Sequence, residues 1–281
     1  MTLPNPDLLD RSLVVTGGTG SFGSAFTRYL LDTTTWRVRV LSRGEHKQEA
    51  MMRALPPGPR LTYILADVRD ASALRQAFDG ADAVVHAAAL KVVGQGERHA
   101  DEFAKTNVMG SANVISAALS AGVRKCVLIS SDKACQPINL YGATKRVAES
   151  LFVQANALGV SRGCRFAVVR GGNVWASQGS VAPVWRAANR PQLADMSATR
   201  FNILMPDWTA FVYRALGAMR GGEIFTPIVP AWALADLARA FDGGVYLGQA
   251  RQGDKQHETL VSVDEVPRTV VPDWANIIET P

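Results

Sequence analysis

The chain has 281 residues, 47% of them hydrophobic, and a formal net charge of +5, which gives one large domain or two closely joined lobes with a sizeable core. The mild positive balance suits acidic ligands such as nucleotides, but no lysine and arginine block marks a nucleic-acid face. Cys126, Cys135 and Cys164 are odd in number and unpatterned, and the opening MTLPNPDLLDRS lacks the basic and apolar parts of a signal peptide. A reducing, cytoplasmic setting is therefore expected, with no membrane span, disulfide framework or metal site.

SLVVTGG is a short apolar run closed by glycines and reads as a first strand. SFGSAFTRYLL follows with helical spacing. RVRVLSR is a second strand, EHKQEAMMRAL a helix stopped by Pro56-Pro57-Gly58, RLTYILADV a third strand and ASALRQAF a helix. DAVVHAAAL is a fourth strand, and DEFAKTNVMGSANVISAALSAG reads as one long helix ending at Gly122. KCVLISS, NLYGATKRVAESLFVQANALG and RFAVVR complete the series as strand, helix and strand. Strand followed by helix, repeated, predicts an α/β fold with a doubly wound parallel sheet, and unbroken apolar runs fit strands buried on both faces. After Arg170 the rhythm breaks into Pro- and Trp-rich loops and short elements. Residues 1–170 are expected to form a cofactor domain, and 171–281 a smaller substrate-binding lobe interleaved with it.

VVTGGTGSFG sets Gly17, Gly20 and Gly23 between the first strand and the first helix. Glycines there permit a tight turn and close approach to a pyrophosphate, with Thr19, Ser21 and Phe22 beside them at the helix N-terminus. At the tip of the second strand an acidic residue would favour NAD. Here Ser42-Arg43 and Lys47 suit a 2'-phosphate, so NADP is expected over NAD. Asp67-Val68 ends the third strand; the Asp would meet an adenine or cap the next helix.

Tyr141 and Lys145 lie four apart and so share a helix face. A lysine beside a phenol lowers its pKa, and the phenolate can take a proton from an alcohol as hydride leaves. Ser131 can hydrogen-bond the same alcohol. Asp132 and Lys133 add an acid and a base suited to eliminating water next to a new ketone.

Together these features resemble the extended short-chain dehydrogenase/reductase superfamily, with its Rossmann-type fold. Over the whole chain the sequence is similar to the inverting UDP-N-acetylglucosamine 4,6-dehydratases of polysaccharide and pseudaminic acid biosynthesis. The matching stretches are VVTGGTGSFG, HAAALK, KTNVMGSANVI, SSDKACQPINLYGATK, VVRGGNV, TRF, GGEIF and RQGDKQHE. The resemblance implies that Ala87, Ala88, Ala89, Lys91 and Asn107 border the cofactor. It implies that Asn173, Val174, Ser180, Val181 and Lys91 flank a UDP-sugar, with Thr199, Arg200, Arg251 and Asp254 on uridine and diphosphate. In that scheme Tyr141 takes the 4-hydroxyl proton, Lys133 with a pKa lowered by Lys145 and the cofactor removes the carbon 5 proton, and Asp132 protonates the leaving 6-hydroxyl. The family's His-Val-Pro is Val92-Val93-Gly94 here, its Tyr-Gly-Asn is Gly171-Gly172-Asn173, and its Ala-Asn is Cys135-Gln136, which makes Cys135 a candidate pocket residue. The alternatives are another NADP-dependent nucleotide-sugar or nucleoside-modifying dehydratase or 4-epimerase of the same fold, and a non-catalytic NADP-sensing module. A homo-oligomer is expected, with Val114, Ala118, Val147, Leu151 and Ala155 on the pairing helices.

Overall fold

The computed structural model describes residues 11–188, 191–241, 245–248 and 253–280. In chain order these form β1 Ser12–Thr16, α1 Ser21–Thr33, β2 Arg37–Ser42, α2 Glu45–Ala54, β3 Leu61–Leu65, α3 Ala71–Phe78 and β4 Ala83–His86. Two single turns, α4 Val93–Gly96 and α5 Ala100–Phe103, lead through a π-helical stretch, Ala104–Met109, into α6 Gly110–Ser120. Then come β5 Lys125–Ser131, α7 Leu140–Val160, β6 Arg165–Gly171, β7 Asn173–Val174, α8 Val181–Ala188, β8 Gln192–Leu193, β9 Thr199–Ile203 and α9 Met205–Ala218. The chain closes with β10 Ile224–Pro227, β11 Ala231–Ala233, α10 Leu234–Arg239, β12 Tyr246–Leu247, β13 Thr269–Val270 and β14 Ala275–Ile278.

The expected six parallel strands are present, in the order β3-β2-β1-β4-β5-β6. Among the described residues the sheet has nine strands, because β10 adds parallel to β6 and β14 and β13 follow antiparallel. Residues after Arg170 thus extend the central sheet as well as forming a separate three-stranded sheet, β11-β9-β7. Burial on both faces accounts for the unbroken apolar strands. Leu13 and Val15 enter one core cluster and Val14 the other; Ala167 and Val169 divide from Phe166 and Val168 in the same way. Each such valine, leucine or phenylalanine contributes about 1.5–3 kcal/mol by leaving water.

The helix expected over 101–122 is instead broken by the π-helical stretch. Asn107 lies inside it, with its amide accepting from Leu90 N (2.8 Å) and donating to Leu90 O (2.9 Å) and Thr144 Oγ1 (3.0 Å). A wider turn sets that side chain against the chain leaving β4. No described helix is long and apolar enough to cross a membrane. The order reverses between β1 and β4, which opens a crevice at the strands' carboxyl ends, the usual ligand position in such sheets.

Candidate active site

A cleft of about 1750 Å³ fills that crevice. One wall is the glycine loop. Gly17 has φ +66°, and a Cβ there would lie 2.7 Å from Ala88 N. Gly20 caps α1 without a side-chain hydrogen bond, so the first-turn amides are available to an anion. Thr19, Ser21, Phe22 and Gly23 line the cleft with them, as do Ala87, Ala88, Ala89 and Val68. Ser42, Arg43, Lys47 and Asp67 line it at the tips of β2 and β3. Arg43 is half-exposed, 3.5 Å from Asp67, and Asp67 is gripped more closely by Arg69 at 2.7 Å. Burial raises the Asp67 pKa, but Arg69 and Arg43 outweigh it and hold the carboxyl below its ordinary value. This cradle fits the pyrophosphate and ribose of a dinucleotide. Asn107 is the exception among the expected cofactor residues. It is buried, its amide is spent on Leu90 and Thr144, and it shapes the wall without lining it.

The floor is the turn between β5 and α7. Asn139 caps α7, accepting from Gly142 N at 2.7 Å. Gly142 packs directly on the Lys133 carbonyl and leaves no room for a Cβ. That contact brings Tyr141 and Lys145 to Ser131 and Lys133, and all four line the cleft. Ser131 Oγ donates to Asp132 Oδ1 at 2.9 Å, and Lys145 Nζ donates to Ile129 O at 2.6 Å. Lys133 Nζ lies 3.2 Å from Asp132 Oδ1 and 3.2 Å from Glu258 Oε1.

The electrostatics differ from expectation. Burial pulls the Lys133 pKa down, but Asp132 and Glu258 outweigh it, so the ammonium is stabilised and its pKa is raised, not lowered. Burial brings Lys145 down to about 8 against the pull of Glu149. Burial raises Tyr141; Lys133 and a hydrogen bond with Ser131 act the other way. The cation acting on the phenol is thus Lys133, where the spacing had pointed to Lys145. Asp132 has no exposed surface and sits beneath the floor, behind Ser131.

Asn173, Val174, Ser180, Val181, Arg200, Asp254 and Lys91 also line the cleft. Lys91 Nζ donates to Gln178 O at 2.7 Å, and Gln178 N donates to Ser21 Oγ at 3.0 Å, so the 177–180 loop bridges to the glycine loop. Thr199 is not part of the lining; its Oγ1 pairs with His257 Nδ1 at 2.9 Å. Arg251 lies outside the described residues. Trp208, Trp185 and Lys255 also line the cleft and were not anticipated. Trp208 has a local signal in Gly171, since a Cβ there would lie 2.5 Å from the indole ring, which fills the space beside it.

Behind the floor, Arg170 is fully buried. Its Nε and Nη2 pair with Glu149 at 2.9 and 2.7 Å, and its two terminal nitrogens pair with Glu265 at 2.8 and 2.9 Å. Ser130 Oγ donates to Glu149 at 2.7 Å. Cys135 belongs to this layer and not to the pocket: it is 2% exposed, with Sγ 3.9 Å from Glu265. Of the residues expected at a pairing surface, Val114, Ala118 and Ala155 are in the core, while Val147 is 45% exposed.

Residues 13–279 match the model of a family described as polysaccharide biosynthesis protein. A UDP-N-acetylglucosamine 4,6-dehydratase (inverting) of Campylobacter jejuni is 40% identical over 264 residues, 91% of this chain and 78% of that protein. A UDP-glucose 4-epimerase of Rickettsia canadensis is 35% identical over 274 residues, 92% of this chain and 80% of that one. The X-ray structure of Pen from Bacillus thuringiensis superposes with a TM-score of 0.93 at 30% identity, covering 98% of this chain and 89% of that one. The match from β1 to β14, around a cleft built from the shared motifs, makes this chain a member of the polysaccharide biosynthesis protein family.

Proposed function

We propose that this protein is a nucleotide-sugar 4,6-dehydratase that acts on UDP-N-acetylglucosamine, uses NADP and inverts carbon 5. The observation carrying this reading is the convergence of Ser131, Lys133, Tyr141 and Lys145 on one cleft floor. The glycine loop and the stretch from Asn173 to Val181 line the same cleft and meet through Gln178 and Ser21. The similarity to the Campylobacter dehydratase supports it. Residues 1–170 hold the cofactor side and 171–281 supply the sugar-nucleotide side. Arg43 and Lys47 receive the 2'-phosphate. Arg251 and Thr199 keep the nucleotide roles that the motifs imply, Thr199 acting through its neighbours.

A bound nicotinamide would accept the hydride leaving carbon 4 and give it back at carbon 6, so that no outside oxidant is consumed. Tyr141 takes the 4-hydroxyl proton, helped by the Ser131 hydrogen bond and the Lys133 charge. The ketone at carbon 4 acidifies carbon 5; Lys133 passes its ammonium proton to Asp132 Oδ1, 3.2 Å away, and as the resulting amine removes the carbon 5 proton. Asp132 lies behind the lining, so the proton it received reaches the 6-hydroxyl through Ser131 Oγ, which turns its own hydrogen from Asp132 to the substrate as it accepts the carboxyl proton. The water released is that hydroxyl plus one proton, balanced by the proton Tyr141 took. A proton drawn from solvent and delivered to carbon 5 from the other face inverts it.

The experiment is incubation with a panel of nucleotide sugars in deuterated water. Loss of one water by mass spectrometry and deuterium at carbon 5 by NMR support the reading. The Rickettsia relative favours a second reading, 4-epimerisation, which would give an isomer of unchanged mass. The protein works in the cytoplasm as a homo-oligomer through the exposed side of α7, where Val147 and Leu158 are open. Light scattering that reports a monomer at micromolar concentration would count against that assembly.

A further inference from the structure

Glu258 belongs to the RQGDKQHE stretch and has no part in the scheme above. It is 7% exposed and does not line the cleft. Its Oε1 meets Lys133 Nζ at 3.2 Å, and Lys133 does line the cleft. Its Oε2 is buried and accepts no hydrogen bond; Lys255 Nζ lies 3.5 Å away but donates to the Cys135 carbonyl at 2.5 Å. A buried carboxylate left partly unsatisfied is costly, and what it faces here is the one lysine reaching the reacting space from the floor turn. The other charged or titratable groups around the pair are Asp132 on the same turn, Tyr141 on α7 and Lys255 beside Glu258.

We propose that Glu258 is the positioning residue of Lys133, a buried counter-charge that aims the amine into the cleft and stabilises the ammonium formed when it takes a substrate proton. A buried carboxylate serves a catalytic histidine in the same way, orienting the ring and stabilising its cation without accepting the proton itself. One proton moves, from carbon 5 to the Lys133 amine; Glu258 stays ionised throughout. The inference rests on the dehydratase reading for the identity of that proton, but the Glu258–Lys133 coupling can be tested without it.

The test is Glu258→Gln, with two readouts. The first is acetylation of Lys133 by acetic anhydride across pH, followed by mass spectrometry of its peptide. Without the counter-charge, half-reaction should move down by at least about one pH unit, equivalent to roughly tenfold more neutral amine. The second is deuterium exchange at carbon 5. Its acidic limb should move down with the titration, and its plateau should fall about tenfold or more, because a less basic amine is a weaker catalyst. KM should stay within about threefold. A folded Glu258→Gln protein whose Lys133 titrates as in the wild type overturns the proposal. If that variant does not fold, Lys133→Met with carbon-13-labelled glutamate decides. Loss of the ion pair should change the carboxyl chemical shift of Glu258 at neutral pH, and a Glu258 signal unchanged from the wild type overturns the proposal. Wild-type protein that exchanges no sugar proton would sink the dehydratase reading and leave the acetylation result to judge Glu258 alone.

Discussion

Arg170→Met removes a cation with no exposed surface that serves two carboxylates at once. The magnitude follows from Glu265. Burial raises its carboxyl, but hydrogen bonds from Arg170 outweigh this and bring it from 4.5 to about 2. A shift of that size corresponds to roughly 3 kcal/mol. Because the folded pKa is depressed, this stability is complete above the unfolded value and is lost as pH falls from about 4.5 toward 2. Taking one partner from a buried ion pair typically costs about 3–5 kcal/mol, in agreement with that figure. The variant should lose about that much at pH 7, or on the order of 10 °C in Tm. Without Arg170, burial raises the Glu265 carboxyl above its ordinary 4.5, so the deficit should narrow as pH falls toward that value and the group takes up a proton. Urea unfolding followed by tryptophan fluorescence at several pH values measures both effects. A loss below about 1 kcal/mol, or a deficit that does not change with pH, would refute the reasoning.

Arg43→Ala should weaken NADP about tenfold or more while leaving NAD nearly unchanged, as read by calorimetry; equal wild-type affinity for the two would remove Arg43 from cofactor choice. Lys133→Ala should lose about 10²–10⁴-fold of product formation and carbon 5 exchange, and Tyr141→Phe should block the reaction at its first step. Wild-type exchange in the lysine variant would make Lys133 a bystander. Gln136 has φ +48°, in the left-handed region. Gln136→Gly should therefore stabilise the fold by about 0.5–1 kcal/mol in thermal unfolding, and a lower Tm would show that the side chain repays its strain.

The first six strands were legible because each is an apolar run ending at a glycine or a polar turn, and sheet burial on both faces demands that composition. The Ser131, Tyr141 and Lys145 set was legible for a similar local reason, since helix geometry converts a spacing of four into a shared face. β13 and β14 escaped notice because two- and four-residue segments carry no period. The π-helical stretch escaped because it follows from the contact between Asn107 and Leu90. The charge on Lys133 was misjudged for the same kind of reason. Lys145, close in sequence, binds a backbone carbonyl, whereas Glu258, far along the chain, meets the Lys133 ammonium. Gly171 drew attention as a missing side chain, but only the fold reveals that Trp208 lies against it.

The late arrival of the segment that crosses the floor bears on how the molecule is made. Emerging from the ribosome, β1 to β6 can pair and bury their helices before residues 253–278 exist. The nascent intermediate would then hold the glycine loop, Tyr141 and Lys145 in place while Lys133 and Arg170 still lacked Glu258 and Glu265. Completion of the charged layer, and insertion of β14 between β10 and β13, would follow assembly of the six parallel strands. A chain cut short before Glu258 should retain dinucleotide affinity but turn over no substrate, and such fragments would compete for cofactor with finished enzyme.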